Sequence, residues 1–154
     1  MSLETSILEH EDYEEHAYKD SKGLWTFAIG RCLETNPLTT GEWKYLLDNG
    51  HLAISITEAG AEWLMEQSIQ AIRGQCMRMF DFWPALSDAR RDVLVEMAYQ
   101  MSIQRLLGFH DMLEAIRLGQ FKRAADAGRD SKWAREDSPK RAEELMTILE
   151  RGTP

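Results

Sequence analysis

Two carboxylates near the N-terminus stand in unlike surroundings and could divide general acid and base work between them. Glu11 follows Ile7 by four positions, so on a helix it lies near the apolar stripe rather than opposite it. Asp20 opens the polar corner Asp-Ser-Lys-Gly, where Gly23 can supply a positive φ, ahead of an alternating run from Leu24 to Ile29. Apolar neighbours favour the protonated form of a carboxyl and a solvated turn favours the ionised form, which is the separation that acid–base catalysis uses. Each acid alone has a plainer reading, since helix ends carry surface charge and Asp is common in turns.

Other chemistry-bearing residues point elsewhere. Glu96 sits inside the apolar run "VLVEMAYQM" and is expected to be a structural carboxylate with a buried partner. Cys32 and Cys76 are far apart, and the four histidines form no HExxH spacing, so no metal site and no cofactor are expected. The five tryptophans are scattered at packing positions, and at least three are expected in the core rather than in a sugar-stacking set. A formal charge of −8 argues against nucleic-acid or membrane-surface binding by net electrostatics, although Arg90 with Arg91, or Lys132 with Arg135, could form a local basic patch. No run is long enough for stable membrane insertion, and the acidic start "MSLETSILEHEDYEEH" is unlike a secretory signal.

The elements that must position these residues follow from periodicity. Residues 3 to 11 read as a short helix with Leu3, Ile7 and Leu8 on its inner side. In the strand that follows the corner, Trp25, Phe27 and Ile29 share the packing face, leaving Thr26, Ala28 and Gly30 on a bare face suited to a cleft floor. A third short strand lies between Cys32 and Asn36, and Thr39 with Glu42 forms a capping box for a helix over 40 to 48. Ser55 and Glu58 repeat that pattern before a helix of about 20 residues, near 30 Å long. Ser87 caps a buried helix, Gly108, Gly119 and Gly128 punctuate shorter ones, and Ser138-Pro139 opens the last. The fold class is α+β, mainly α: a small β-hairpin lobe joined by a long helix to a larger helical lobe, with a cleft as the default binding site. All 154 residues are expected to form one catalytic domain, with 12–58 as the β-containing lobe, 58–79 as the connecting helix, and 1–11 with 80–154 as the helical lobe.

The segment "EHEDYEEHAYKDSKGLWTFAIG" resembles the N-terminal active-site region of the T-even phage type of lysozyme, glycoside hydrolase family 24, with its glutamate, Y-x-D, G and T-x-G-x-G pattern. The segments "DARRDVLVEMAYQM", "GF" at 108 and 109, and "SKWAREDSPKRA" resemble that family's central helix, the turn after it and its tryptophan segment. The resemblance implies a lysozyme-like fold, Glu11 as general acid, Asp20 as the second carboxylate and Thr26 as a hydroxyl that helps place water. It further implies Tyr99 as an aromatic contact to the saccharide and Arg141 as the arginine that pairs with the acid. Ala28 and Arg31 depart from the pattern, which has glycine and histidine there. A methyl at 28 could crowd a sugar, and a fixed cation at 31 changes the local field.

By the same resemblance the substrate is bacterial peptidoglycan, cut at the β-1,4 bond between N-acetylmuramic acid and N-acetylglucosamine by a monomer. The implied setting is the host cytoplasm until release to the cell wall, or a place in the virion. Two other readings remain open at the level of sequence: a lytic transglycosylase needing Glu11 alone, and a lysozyme-like module that binds glycan or protein without cutting.

Overall fold

The computed structural model describes residues 2–52 and 56–154. The chain is α+β and mainly helical, and its contacts divide into two compact units, Ser2–Ser68 and Ile69–Pro154.

In the first unit, α1 (Leu3–His10) starts at Ser2, whose hydroxyl accepts the Thr5 N–H at 3.2 Å. It ends at Glu11, whose backbone N–H still donates to the Ile7 carbonyl at 2.9 Å. Leu3 and Ile7 are buried as their spacing predicts, whereas Leu8 is exposed. Strands β1 (Tyr13–Lys19), β2 (Trp25–Ile29) and β3 (Arg31–Cys32) form an antiparallel sheet in that order. Tyr18 pairs with Thr26 and Lys19 with Trp25 across the first ladder, Thr26 pairs with Cys32 across the second, and β1 carries an irregularity between Glu14 and Tyr18.

The expected packing face of β2 holds at Phe27 and Ile29 but not at Trp25, and the expected bare face is covered at Thr26 and Ala28. Thr26 and Ala28 are as buried as Phe27 and Ile29, so both faces of β2 are covered. Trp25, at the start of the strand, is instead 46% exposed, with the Lys19 ammonium 5.3 Å from its ring centre. The Ala28 methyl is fully enclosed, so it cannot crowd a saccharide. Ala28 also adopts φ 60, a left-handed conformation unusual for a residue with a Cβ.

Helix α2 (Thr40–Asp48) has the predicted capping box, with Thr39 and Glu42 satisfying each other's backbone N–H groups, and stops at Asn49. Glu42 also anchors Arg31, which is only 4% exposed. The guanidinium donates to both Glu42 oxygens at 2.8 and 2.9 Å and to the carbonyls of Asn36 and Pro37 at 3.0 Å each. The cation at 31 is therefore neutralised within the fold rather than left to act on a ligand. Burial opposes ionisation of Glu42, but the hydrogen bonds from Arg31 and Thr39 and the Arg31 charge outweigh it and hold the carboxyl below the usual carboxylate range.

A depressed folded value has a definite sign. The stability it contributes is present above about pH 4.3, the unfolded Glu value, and is lost as pH falls through the lower folded value. Arg31→Met should cost about 3 kcal/mol at neutral pH, because a half-buried carboxylate loses its cationic partner while keeping its Thr39 bonds. Urea unfolding followed against pH should show the gap between wild type and variant narrowing below about pH 4, where Glu42 becomes neutral. A gap independent of pH would place the cost in packing alone.

Helix α3 (Glu58–Met79) crosses from one unit's residues to the other's. Its expected Ser55 cap lies outside the described residues. Thr57 caps it, its hydroxyl accepting the Gly60 N–H at 3.1 Å and its carbonyl the Ala61 N–H at 2.9 Å. Ala61, Met65, Ile69 and Cys76, which recur at helical spacing, are buried, whereas Met79 at the end of the helix is exposed, and Trp63 stacks on Tyr45 with ring centres 4.0 Å apart. Burial pushes the Cys76 thiol up to about 11, which leaves it an inert core group at neutral pH.

The second unit continues with a 3₁₀ turn (Trp83–Ala85), α4 (Asp88–Met101), α5 (Ile103–Leu107), α6 (His110–Arg117), α7 (Phe121–Arg129), a π-helical turn (Trp133–Asp137) and α8 (Pro139–Arg151). Ser87 caps α4, and Val93 to Ala98 are all buried. Trp133 is buried and donates its indole N–H to Gln100 at 2.8 Å. Glu96 is enclosed and lies 3.6 Å from the equally enclosed Arg141 guanidinium, so the expected structural carboxylate has a cationic partner. Arg90 donates to the Leu149 and Glu150 carbonyls at 2.9 and 3.0 Å, capping α8, and covers the Phe121 ring. Arg135 pairs with Asp130 at 2.6 Å and Lys132 with Glu136 at 3.8 Å, so these cations serve intramolecular contacts. Gly128 does not end a helix: it lies inside α7, where a Cβ would meet the Met146 sulfur at 2.1 Å, and its smallness lets α8 approach.

Among the described residues no helix is long and apolar enough to cross a membrane.

Candidate active site

The end of α1 and the hairpin of the first unit bring Glu11, Asp20, Tyr18, Thr26 and Gly30 within one small structure. Glu11 is half-buried at the α1 terminus, and its carboxylate reaches the β2–β3 corner. A Cβ built on Gly30 would lie 2.5 Å from Glu11 Oε2, which puts the acid directly against this glycine's backbone.

Asp20 is held by its own turn. Its Oδ1 accepts the backbone N–H groups of Lys22 at 2.8 Å and Leu24 at 2.9 Å, while its own N–H and carbonyl bond Leu24 and Gly23. Gly23 adopts φ 77, as the corner requires. The carboxylate is thereby fixed through one oxygen, and Oδ2 stands outside these two bonds.

Thr26 is 4% exposed, and its hydroxyl donates a long bond of 3.4 Å to the Leu24 carbonyl. A bond that long is weak, so the hydroxyl retains capacity for a better partner. Tyr18, its ladder neighbour, carries the electrostatic imprint of the site. Burial first, then the charges of Glu11, Glu14, Asp20 and Asp12, push the phenol above its ordinary range. Both candidate acids thus act on one phenol, which at neutral pH is an uncharged O–H donor among carboxylates. Sequence reasoning did not single out Tyr18, although it sits inside the quoted Y-x-D pattern, and it placed Gly30 on a bare face without linking it to the acid.

Two site candidates lie on the helical unit. Tyr99 is half-buried near the end of α4, and Arg141 is buried in the first turn of α8 beside Glu96.

A profile of phage lysozymes matches residues 8–150, a span that contains every one of these residues. The chain belongs to the phage lysozyme family. It is 25% identical over 162 aligned positions to the pre-baseplate central spike protein Gp5 of Enterobacteria phage T4, covering 97% of this chain but 28% of that protein. It is 26% identical over 148 positions to probable T4-type lysozyme 1 of Dictyostelium discoideum, covering 88% of this chain and 86% of that one. The chain therefore spans little more than a quarter of the spike protein's length. Family membership accounts for the order of elements along the chain. The departures at 28 and 31 are absorbed inside the first unit, one by enclosure and the other by the Glu42 pair.

Proposed function

We propose that this phage lysozyme family member is a muramidase that hydrolyses the β-1,4 bond between N-acetylmuramic acid and N-acetylglucosamine in bacterial peptidoglycan. Glu11 is the general acid that protonates the leaving oxygen. Asp20 and Thr26 hold the water that attacks from the opposite side of the sugar, giving inversion. On the helical unit Tyr99 is the proposed saccharide-binding residue and Arg141 the proposed orienting residue. The chain acts without metal or cofactor, as a monomer.

The observation that carries this reading is the pairing of two differently held carboxylates in one hairpin unit: Glu11 pressed against Gly30, and Asp20 clamped through Oδ1 by its turn. An acid and a stabilising carboxylate with separate supports are what glycosidic hydrolysis needs. The grounds for a non-cutting module weaken, because neither the enclosed Ala28 nor the paired Arg31 obstructs a ligand.

The biological role proposed is lysis of the host wall, by protein held in the host cytoplasm until a membrane pore releases it. Likeness to a pre-baseplate spike protein keeps a virion-borne role beside it. Mass spectrometry of fragments released from purified sacculi tests the chemistry. Reducing-end muropeptides carrying one added water are expected, and anhydro products would replace hydrolysis with transglycosylation.

A further inference from the structure

We infer that Gly30 is a positioning residue for the acid: the space left by its missing side chain is the recess in which the Glu11 carboxylate rests. This rests on the reading of Glu11 as general acid. A Cβ at Gly30 would stand 2.5 Å from Glu11 Oε2 and 2.8 Å from Cδ, nearer than such atoms approach without one of them moving, and 3.1 Å from Cγ, a tight contact.

The recess is rigid on the backbone side. Gly30 has φ 63, Ile29 before it is 1% exposed, and Arg31 after it is tied to Glu42, Asn36 and Pro37. Against that backbone the Glu11 side chain is the party that can shift. An added methyl is therefore accommodated by displacing the carboxylate. The fold registers little of that change, while the reacting proton moves by about 1 Å or more, a displacement that costs on the order of 100-fold in rate.

Gly119 is a built-in control. It has φ 70, also left-handed, but a Cβ there meets nothing within 4 Å. Gly119→Ala carries the backbone strain of a left-handed alanine without the contact and lies outside the proposed site.

Turnover of soluble muropeptide oligomers by the two variants, at matched melting temperature, separates strain from placement. In Gly30→Ala kcat should fall about 100-fold with KM unchanged, whereas Gly119→Ala should keep its kcat. With glutamate labelled at the side-chain carboxyl carbon, the Glu11 resonance, assigned by its loss in Glu11→Gln, should move in Gly30→Ala and stay in Gly119→Ala. Retained kcat and an unmoved resonance in Gly30→Ala, beside an inactive Glu11→Gln, overturn the recess and leave the acid standing. Full activity in Glu11→Gln removes the acid, and the positioning role with it. Should Gly30→Ala not fold, Glu11→Ala/Gly30→Ala decides: recovery of folding supports the recess, and continued failure puts the cost in the backbone and overturns it.

Discussion

Glu11→Gln is expected to reduce peptidoglycan turnover by roughly 10²–10⁴-fold while leaving the circular dichroism melt unchanged. The amide has the shape of the acid and fits the same space beside Gly30, so the end of α1 keeps its packing. The helix terminus depends on the Glu11 backbone N–H, which the substitution does not touch. What disappears is the ability to give a proton to the departing sugar oxygen at the moment its bond to carbon lengthens. A group used only in the transition state affects kcat and leaves ground-state binding intact, so wall binding in a sedimentation assay should persist. Full clearing of permeabilised cells by this variant would take Glu11 out of the mechanism.

The features that could be read from the sequence are those whose signal is local. The Thr39–Glu42 box, the Asp20 corner with its positive-φ Gly23, the Ser87 cap and the buried run after it all depend on residues within a few positions of one another. Features set by pairing across the fold were misread or missed. Arg31 looked like a free cation because its partner Glu42 lies eleven residues away, on a different kind of element. Thr26 and Ala28 looked solvent-facing because alternation separates two faces without saying that both are covered, as they are here. Gly128 looked like punctuation because nothing in its neighbourhood announces the Met146 sulfur that needs the space. The candidate acids themselves came from motif resemblance. Their supports, Gly30 under one and a pair of N–H groups under the other, belong to the folded structure.

The same supports make Asp20→Asn the sharpest probe of the second carboxylate. Asparagine retains a side-chain oxygen able to accept the Lys22 and Leu24 N–H groups, and it is as much at home as Asp in such a corner. The turn should survive, with stability changed by no more than about 0.5 kcal/mol. What changes is the second oxygen: a negatively charged acceptor becomes an uncharged amide group that can neither stabilise positive charge on the sugar nor draw a proton from water. Turnover should fall by about 100-fold or more with the fold intact. Asp20→Ala would remove the turn contacts as well and so confound placement with charge. If Asp20→Asn turned over substrate at the wild-type rate while Glu11→Gln did not, no carboxylate would be needed opposite the leaving group. The substrate's own hydroxyl would then be the nucleophile, and the anhydro product would appear in the fragment masses.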